Sequence, residues 1–513
     1  MDDKDRTPEV STESNKQQEI RVENVLRPEY NATSRHDAES EAAETRLRHK
    51  IDRYVAPNIA IIYLLCFLDR INIGMEAVDN CRNARISTLE QDLDMHGYDY
   101  NKLLAVFYVA YIVAEMPCTF ACKLVGPGWF LPGATAAFGL LTLCMAFVQS
   151  LGAAYAVRFL LGIAEAGVLP GIAYYLSRWY RRSELTFRVA VCMVMAPLSG
   201  AFGGLLASGL LSLESVGSLR AWRIIFLVEG IITFGLGVIT FFTMTDSPQS
   251  AKWLTEEERE LAMTRLKVER QGTIELVDKW NLKKLKLGVL SPSTLTTFFN
   301  FLLLGVIVQS FSIFLPTIVR TIYPNESAIT QQLRSAPPYI LGAFFAISLP
   351  WLSSRIDRRQ IFLIAGSPFL IAGYSMFLGT NSSQSMVRYA GTFLIAMGSF
   401  NQGTFNNAQA AANCRSDSSR NVAIGLANLG SNIGGLIATW TYLPSGAPDF
   451  RLGNGICVGC GSGILLLSTG LLVFMKWDNG RREKRDAAAE LSGLSEQSID
   501  DLEWKHPEFR WRP

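Results

Sequence analysis

Apolar runs of roughly the ~20 residues needed to cross a ~30 Å hydrocarbon core recur from Tyr54 to about Trp477. They fall near 55-78, 101-123, 130-150, 152-177, 186-211, 222-244, 294-319, 334-353, 360-380, 387-409, 421-442 and 454-476. In lipid the backbone must satisfy its own hydrogen bonds, so runs of this length and apolarity are helices. Only 18% of the 513 residues are charged, against roughly 25% in an ordinary soluble domain. The predicted fold is therefore an all-α polytopic membrane protein with twelve transmembrane helices.

The distribution of charge says more than the net +2. Residues 1-50 are polar, charged and nearly free of aromatic side chains, so they read as a disordered tail preceding the first span. Their polarity also leaves no apolar core for a cleavable signal near Met1. A polar segment at 246-290 carries Lys252, Arg259, Arg265, Lys267, Arg270, Lys279, Lys283, Lys284 and Lys286, and splits the spans six plus six. Within it, Thr255 and Glu258 have capping-box spacing and open a charged helix through Arg270. The expected organisation is an N-terminal tail, a six-helix bundle at 51-245, the 246-290 linker, a second bundle at 291-477 and a tail at 478-513. Basic residues gather at Arg46 to Arg53, Arg178 to Arg182, Arg355 to Arg359, Lys476 to Arg485 and in the linker. Twelve spans with both termini cytoplasmic put all of these inside. The same topology places the sequons at Asn325 and Asn381 outside, as glycosylation sites.

A charge inside a bilayer costs several kcal/mol, so those retained face a bundle interior or a water-filled path. The first span carries Asp69 and Arg70, the second Glu115, the fourth Arg158 and Glu165, and the sixth Glu229. Seven residues separate Arg158 from Glu165, about two helical turns and ~10 Å along nearly the same face. Gly162, Ala164, Ala166, Gly167 and Pro170-Gly171 surround the pair, allowing close packing and a local bend. An arginine fork matches a carboxylate, and Asp or Glu in a cavity exchanges protons, so the set suggests anion binding coupled to protons. The competing reading is an internal ion-pair network that fixes helix packing. Glu115 and Glu229 read as braces.

In the second half the intramembrane polar groups are amides: Asn300 and Gln309 in the seventh span, Asn401, Gln402, Asn406 and Asn407 in the tenth, Asn428 and Asn432 in the eleventh. Asn300, Gln309, Asn401 and Gln402 are the candidates for orienting substrate, although amides also glue helices together. None of the four histidines lies in a span, Cys457 and Cys460 lack a second ligand pair, and no P-loop pattern occurs. The expectation is no metal, no cofactor, no nucleic-acid partner and no enzymatic chemistry. Most of the nine cysteines lie inside apolar runs, where they act as small hydrophobes.

From Tyr54 to Trp477 the sequence resembles the major facilitator superfamily, specifically its anion:cation symporter branch in fungi. The resemblance rests on Phe67-Leu-Asp-Arg-Ile-Asn-Ile-Gly74, Arg158-Phe-Leu-Leu-Gly-Ile-Ala-Glu-Ala-Gly167 with Pro170-Gly171, Asp246-Ser-Pro248 followed by Ala251 to Arg259, Ile313-Phe-Leu-Pro316 and Pro337-Pro-Tyr339. Tyr442-Leu-Pro-Ser445, Ala447-Pro448, Gly453-Asn-Gly455 and the tail motif His506-Pro-Glu-Phe-Arg510 are similar to a subgroup that includes allantoate and nicotinic acid permeases. The resemblance implies a monomeric plasma-membrane carrier in which two six-helix halves rock around a central site. It assigns protons to Asp69 and Glu165 and a substrate carboxylate to Arg158, with Arg70 in support. The implied substrate is a small organic anion, such as a nicotinate-like monocarboxylate, taken up with protons. Export of a fungal metabolite by the same fold, or a non-transporting nutrient sensor, are the alternatives.

Three departures stand out. Met75 to Arg82 interrupts the family's direct passage from Asn-Ile-Gly to Asn83-Ala-Arg85. The connection Lys123 to Trp129 lacks an arginine beside the tryptophan, which predicts a weak cytoplasmic latch, and Thr119 stands where relatives commonly have Asn.

Overall fold

In the computed structural model the described residues are 42–73, 89–212, 215–216, 219–271, 282–356, 359–381, 384–414, 417–484, 490 and 502–512. The helices run in order α1 (Ala42–Ile73), α2 (Asp99–Val125), α3 (Pro127–Met145), α4 (Leu151–Trp179, broken at Gly167), α5 (Arg182–Leu211) and α6 (Ala221–Thr243). The linker holds α7 (Glu256–Gln271) and α8 (Leu282–Val289). The second half comprises α9 (Pro292–Ile322), α10 (Ala328–Ile356), α11 (Arg359–Gly379), α12 (Ser385–Ser399), α13 (Gln402–Ala412), α14 (Asp417–Ala438) and α15 (Arg451–Glu483). Among the described residues, ten helices are long and apolar enough to cross a membrane. The remaining two predicted spans are the tenth, broken at Phe400–Asn401 into α12 and α13, and the eleventh, whose apolar part is Val422–Ala438. The Met75 to Arg82 segment lies outside the described residues.

Glycine lets helices touch backbone to backbone within each half. A Cβ on Gly139 would lie 2.4 Å from Phe234 N, one on Gly237 2.6 Å from Ala136 N, and one on Gly230 2.5 Å from Leu143 N. These three positions fix α3 against α6 in the way small-residue stripes do in membranes.

The first helix starts earlier than the apolar run suggests. Residues 42–55 are rich in charge but carry Leu47, Ile51 and Val55 at four-residue spacing, and these are buried to 2%, 0% and 1% exposure. That stripe extends α1 beyond the membrane-length run, into the stretch expected as tail. Arg181 grips Glu44 through two 3.0 Å hydrogen bonds, and Arg188 grips Asp52 at 3.0 and 2.7 Å. Paired forks of this kind hold the extension on α5.

The linker divides between the halves. Its first part lies on the N-terminal half: Trp253 stacks between Tyr54 (4.4 Å) and Trp179 (5.5 Å), Lys50 pairs with Glu258 at 2.6 Å, and Arg265 with Glu184 at 3.0 Å. The predicted capping box is present, with Thr255 N donating to Glu258 Oε2 (2.9 Å) and Glu258 N to Thr255 Oγ1 (3.3 Å). The second part, α8, packs on α14 of the C-terminal half, where Gly288 meets Ser419. The connection predicted as weak between the second and third spans closes on Asp246. Its carboxylate accepts from Gly128 N (3.0 Å) and pairs with Arg178 (2.9 Å), while Gly126 takes φ +94, a conformation glycine adopts without a Cβ clash.

Candidate functional site

The charged residues of α1 and α4 meet inside the N-terminal half. Arg70 Nε donates to Glu165 Oε2 at 2.8 Å, and the Cys66 thiol donates to the same oxygen at 3.3 Å. Phe67, Phe107 and Tyr111 surround the Arg70 guanidinium at 5.3, 5.5 and 4.7 Å from their ring centres. Such rings stabilise a cation electrostatically where water is excluded. Asp69, adjacent in sequence, points instead to α3, where it accepts a hydrogen bond from the Thr142 hydroxyl.

Arg158 is 3% exposed, and its Nε and Nη2 have no hydrogen-bond partner among the described residues. Its nearest aromatic support is the Phe226 ring, 5.6 Å away on α6. Arg158 and Arg70 together line a narrow cavity that in this conformation has room for little more than a water molecule. The other walls are Ile73, Leu103, Leu104, Phe107, Tyr108 and, from the opposite half, Ile313. Two arginines beside apolar walls are the chemistry that attracts an anionic group, and the cavity must widen to admit one. Tyr108 is 2% exposed and its hydroxyl likewise has no partner among the described residues. Sequence reasoning passed over Tyr108 because a tyrosine in an apolar run carries no charge signal. Its position one residue from Phe107 and seven from Glu115 was the available clue.

The halves touch along α2 and α14. Asn101 Nδ2 donates to Thr439 O (2.6 Å), a Cβ on Gly435 would lie 2.4 Å from the Tyr108 ring, and Asn432 Nδ2 donates to Glu115 Oε2 (2.9 Å). Asn101, Tyr108 and Glu115 recur every seven residues and so share one face of α2. Glu115 thus braces the bundle across the two halves. On the other side of the bundle α5 meets α10, with Gly200 against the Tyr339 ring.

The second-half amides separate into two groups. Gln309 lies one turn from the cavity-lining Ile313 on the same face of α9. Asn300 is nine residues away, hence on the opposite face, and donates to Asn406 Oδ1 (3.3 Å) and to the Ser468 hydroxyl of α15 (3.1 Å). Asn401 caps its own helix break by donating to Met397 O (2.7 Å), and Gln402 is fully buried against Gly366 of α11. Asn300, Asn401 and Gln402 therefore lie among α11, α13 and α15, away from the two arginines. Asn325 and Asn381 are both exposed, in loops at the end of the bundle opposite the linker, and Ser382 and Ser383 of the second sequon lie outside the described residues.

Residues 60–439 match the model of the Major Facilitator Superfamily. The chain belongs to this superfamily. It is 30% identical to an uncharacterised transporter of Schizosaccharomyces pombe over 91% of this chain and 90% of that one. It is 31% identical to the MFS-type transporter cnsO of Penicillium expansum, over 92% and 91% of the two chains. Among solved structures it is similar to the inward-open xylose transporter XylE from E. coli, with TM-score 0.59, 12% identity and coverage of 80% of this chain and 94% of that one. A bacterial homologue of the human lysosomal transporter Spinster gives TM-score 0.59 at 14% identity, covering 81% and 95%. The fold is that of a major facilitator, and the protein is a multi-pass membrane transporter of that superfamily.

Proposed function

We propose that this superfamily member carries a small organic anion, of the monocarboxylate type, together with a proton, by alternating access in the plasma membrane with both termini cytoplasmic. The supporting observation is Arg158, whose buried guanidinium lines a cavity with Arg70 and offers two nitrogens that no described residue engages. An arginine retained in that state inside a membrane bundle is a functional group by default, because buried N–H donors left without an acceptor are costly. Asp69 and Glu165 balance Arg70 and Arg158, two charges against two. Adding one substrate carboxylate leaves the set one charge negative, and one proton on Glu165 or Asp69 restores neutrality before the cavity closes. Arg70 then exchanges Glu165 for the substrate carboxylate. Gln309 and Tyr108 contact the ligand body, while the amides Asn300, Asn401 and Gln402 hold the second bundle together. Asn325 and Asn381 carry glycans in this topology, and the carrier works as a monomer.

Arg158→Lys tests the assignment. Replacing the fork by a point charge is expected to raise the apparent KM for a transported carboxylate about ten-fold, at near-normal surface abundance. An unchanged KM in concentration-dependent uptake overturns the anion role of Arg158.

A further inference from the structure

The tail motif at His506–Arg510 plays no part in the site, yet residues 502–512 are bound to the second half by an extensive set of contacts. Asn413, just past α13, meets the backbone of Arg512 on both sides: its Nδ2 donates to Arg512 O (3.1 Å) and its Oδ1 accepts from Arg512 N (2.8 Å). Asn479 on α15 treats Trp511 the same way, at 2.9 Å in each direction. Trp511 is 2% exposed, donates its indole N–H to Asp478 (2.7 Å) and packs on Phe474 and Phe509. Arg482 gathers the preceding turn by donating to His506 O (2.8 Å) and Trp504 O (3.0 Å). Trp504 then donates its indole N–H to Leu287 O of α8 (3.1 Å). Two side-chain amides reading two adjacent peptide units is a specific mode of recognition, because each amide supplies one donor and one acceptor at fixed spacing.

We propose that residues 502–512 form a strap that ties α13, α15 and the linker helix α8 into one unit, so that this arm of the linker moves with the second half while α7 moves with the first. The physical reason lies in α8 itself. It has eight residues, too few to be a stable helix alone, and it sits beside a linker stretch that must accommodate motion between the halves. Trp504 gives its C-terminal end an anchor, and the paired asparagines hold Trp504 in place through the rest of the segment. Glu503, a non-glycine residue at φ 50, adopts a strained conformation that persists only where the surroundings fix it.

Hydrogen exchange on the full-length carrier in detergent tests the strap. In the unaltered chain, amides of 502–512 and of 282–290 are expected to be protected. In the double variant Asn413→Ala, Asn479→Ala both segments should lose protection together while α9 and α14 keep theirs. Trp504→Phe removes one indole donor only, and should speed exchange in 282–290 by about five-fold while 509–512 stay protected. Free exchange of 502–512 in the unaltered chain overturns the proposal, and so does full protection of 282–290 when the tail is released. Size-exclusion behaviour and protection of α9 and α14 separate release of the strap from general unfolding. Should a variant unfold, the Trp504→Phe comparison decides the outcome by itself.

Discussion

In the proposed cycle Glu165 is the residue that carries the coupling. One of its carboxylate oxygens accepts from Arg70 and Cys66, and the other has no partner among the described residues. Glu165→Gln keeps the size and an acceptor oxygen but cannot change charge. It is expected to remove at least ten-fold of pH-gradient-driven uptake while leaving membrane insertion intact, read as uptake at equal surface abundance with and without an imposed gradient. Unaltered proton dependence in that variant moves the coupling role elsewhere, with Asp69 next in line. At this scale the sequence was informative about charge and silent about direction. Asp69 and Arg70 are neighbours, so they leave the helix about 100° apart, and only the fold shows that one meets α3 and the other α4. The amides were half legible: nine residues between Asn300 and Gln309 already put them on opposite faces of α9, whereas the face turned to the cavity depends on packing.

Among the elements, α7 is held by the buried Ala262 and Leu266 together with the ion pairs of Glu258 and Arg265. Partial burial pushes the Glu258 carboxyl up, but the Lys50 ammonium and the Thr255 N–H outweigh it and hold its pKa below the usual carboxylate value. A depressed folded-state value means that the stability it contributes is present above the unfolded pKa and lost as pH falls through the folded one. Glu258→Gln should therefore lower the thermal midpoint in detergent by no more than about 2 °C at neutral pH, because the pair is partly exposed. The gap should vanish as pH drops through the acidic range. A gap that persists in acid would assign the effect to the helix cap instead of the charge pair. The capping box of α7 was readable from Thr255 and Glu258. The start of α1 was not, because Leu47, Ile51 and Val55 lie in a stretch whose average polarity resembles a tail, and only the four-residue spacing reveals a buried face. The strap escaped sequence reading for a related reason: its recognition works through backbone groups of Trp511 and Arg512, which any sequence possesses.

For the whole molecule, six-plus-six spans around a charged linker follow from hydropathy and the placement of basic residues alone. The relation between the halves does not. It rests on α5 against α10 and on Asn101, Tyr108 and Glu115 of α2 meeting Gly435 and Asn432 of α14 and Thr439 just past it, a seam that lies beside the two-arginine cavity. In the proposed alternating-access cycle this seam would part as the cavity opens across it, which would couple substrate and proton to α2. Uptake of a radiolabelled carboxylate panel (nicotinate, pantothenate, allantoate, tartrate, biotin) by cells expressing the chain, with and without a protonophore, tests the central claim most directly. Proton-coupled anion transport predicts that at least one monocarboxylate accumulates well above cells lacking the carrier, and that the protonophore removes most of that accumulation. Accumulation that the protonophore leaves untouched, or no carboxylate transported at all, would contradict it.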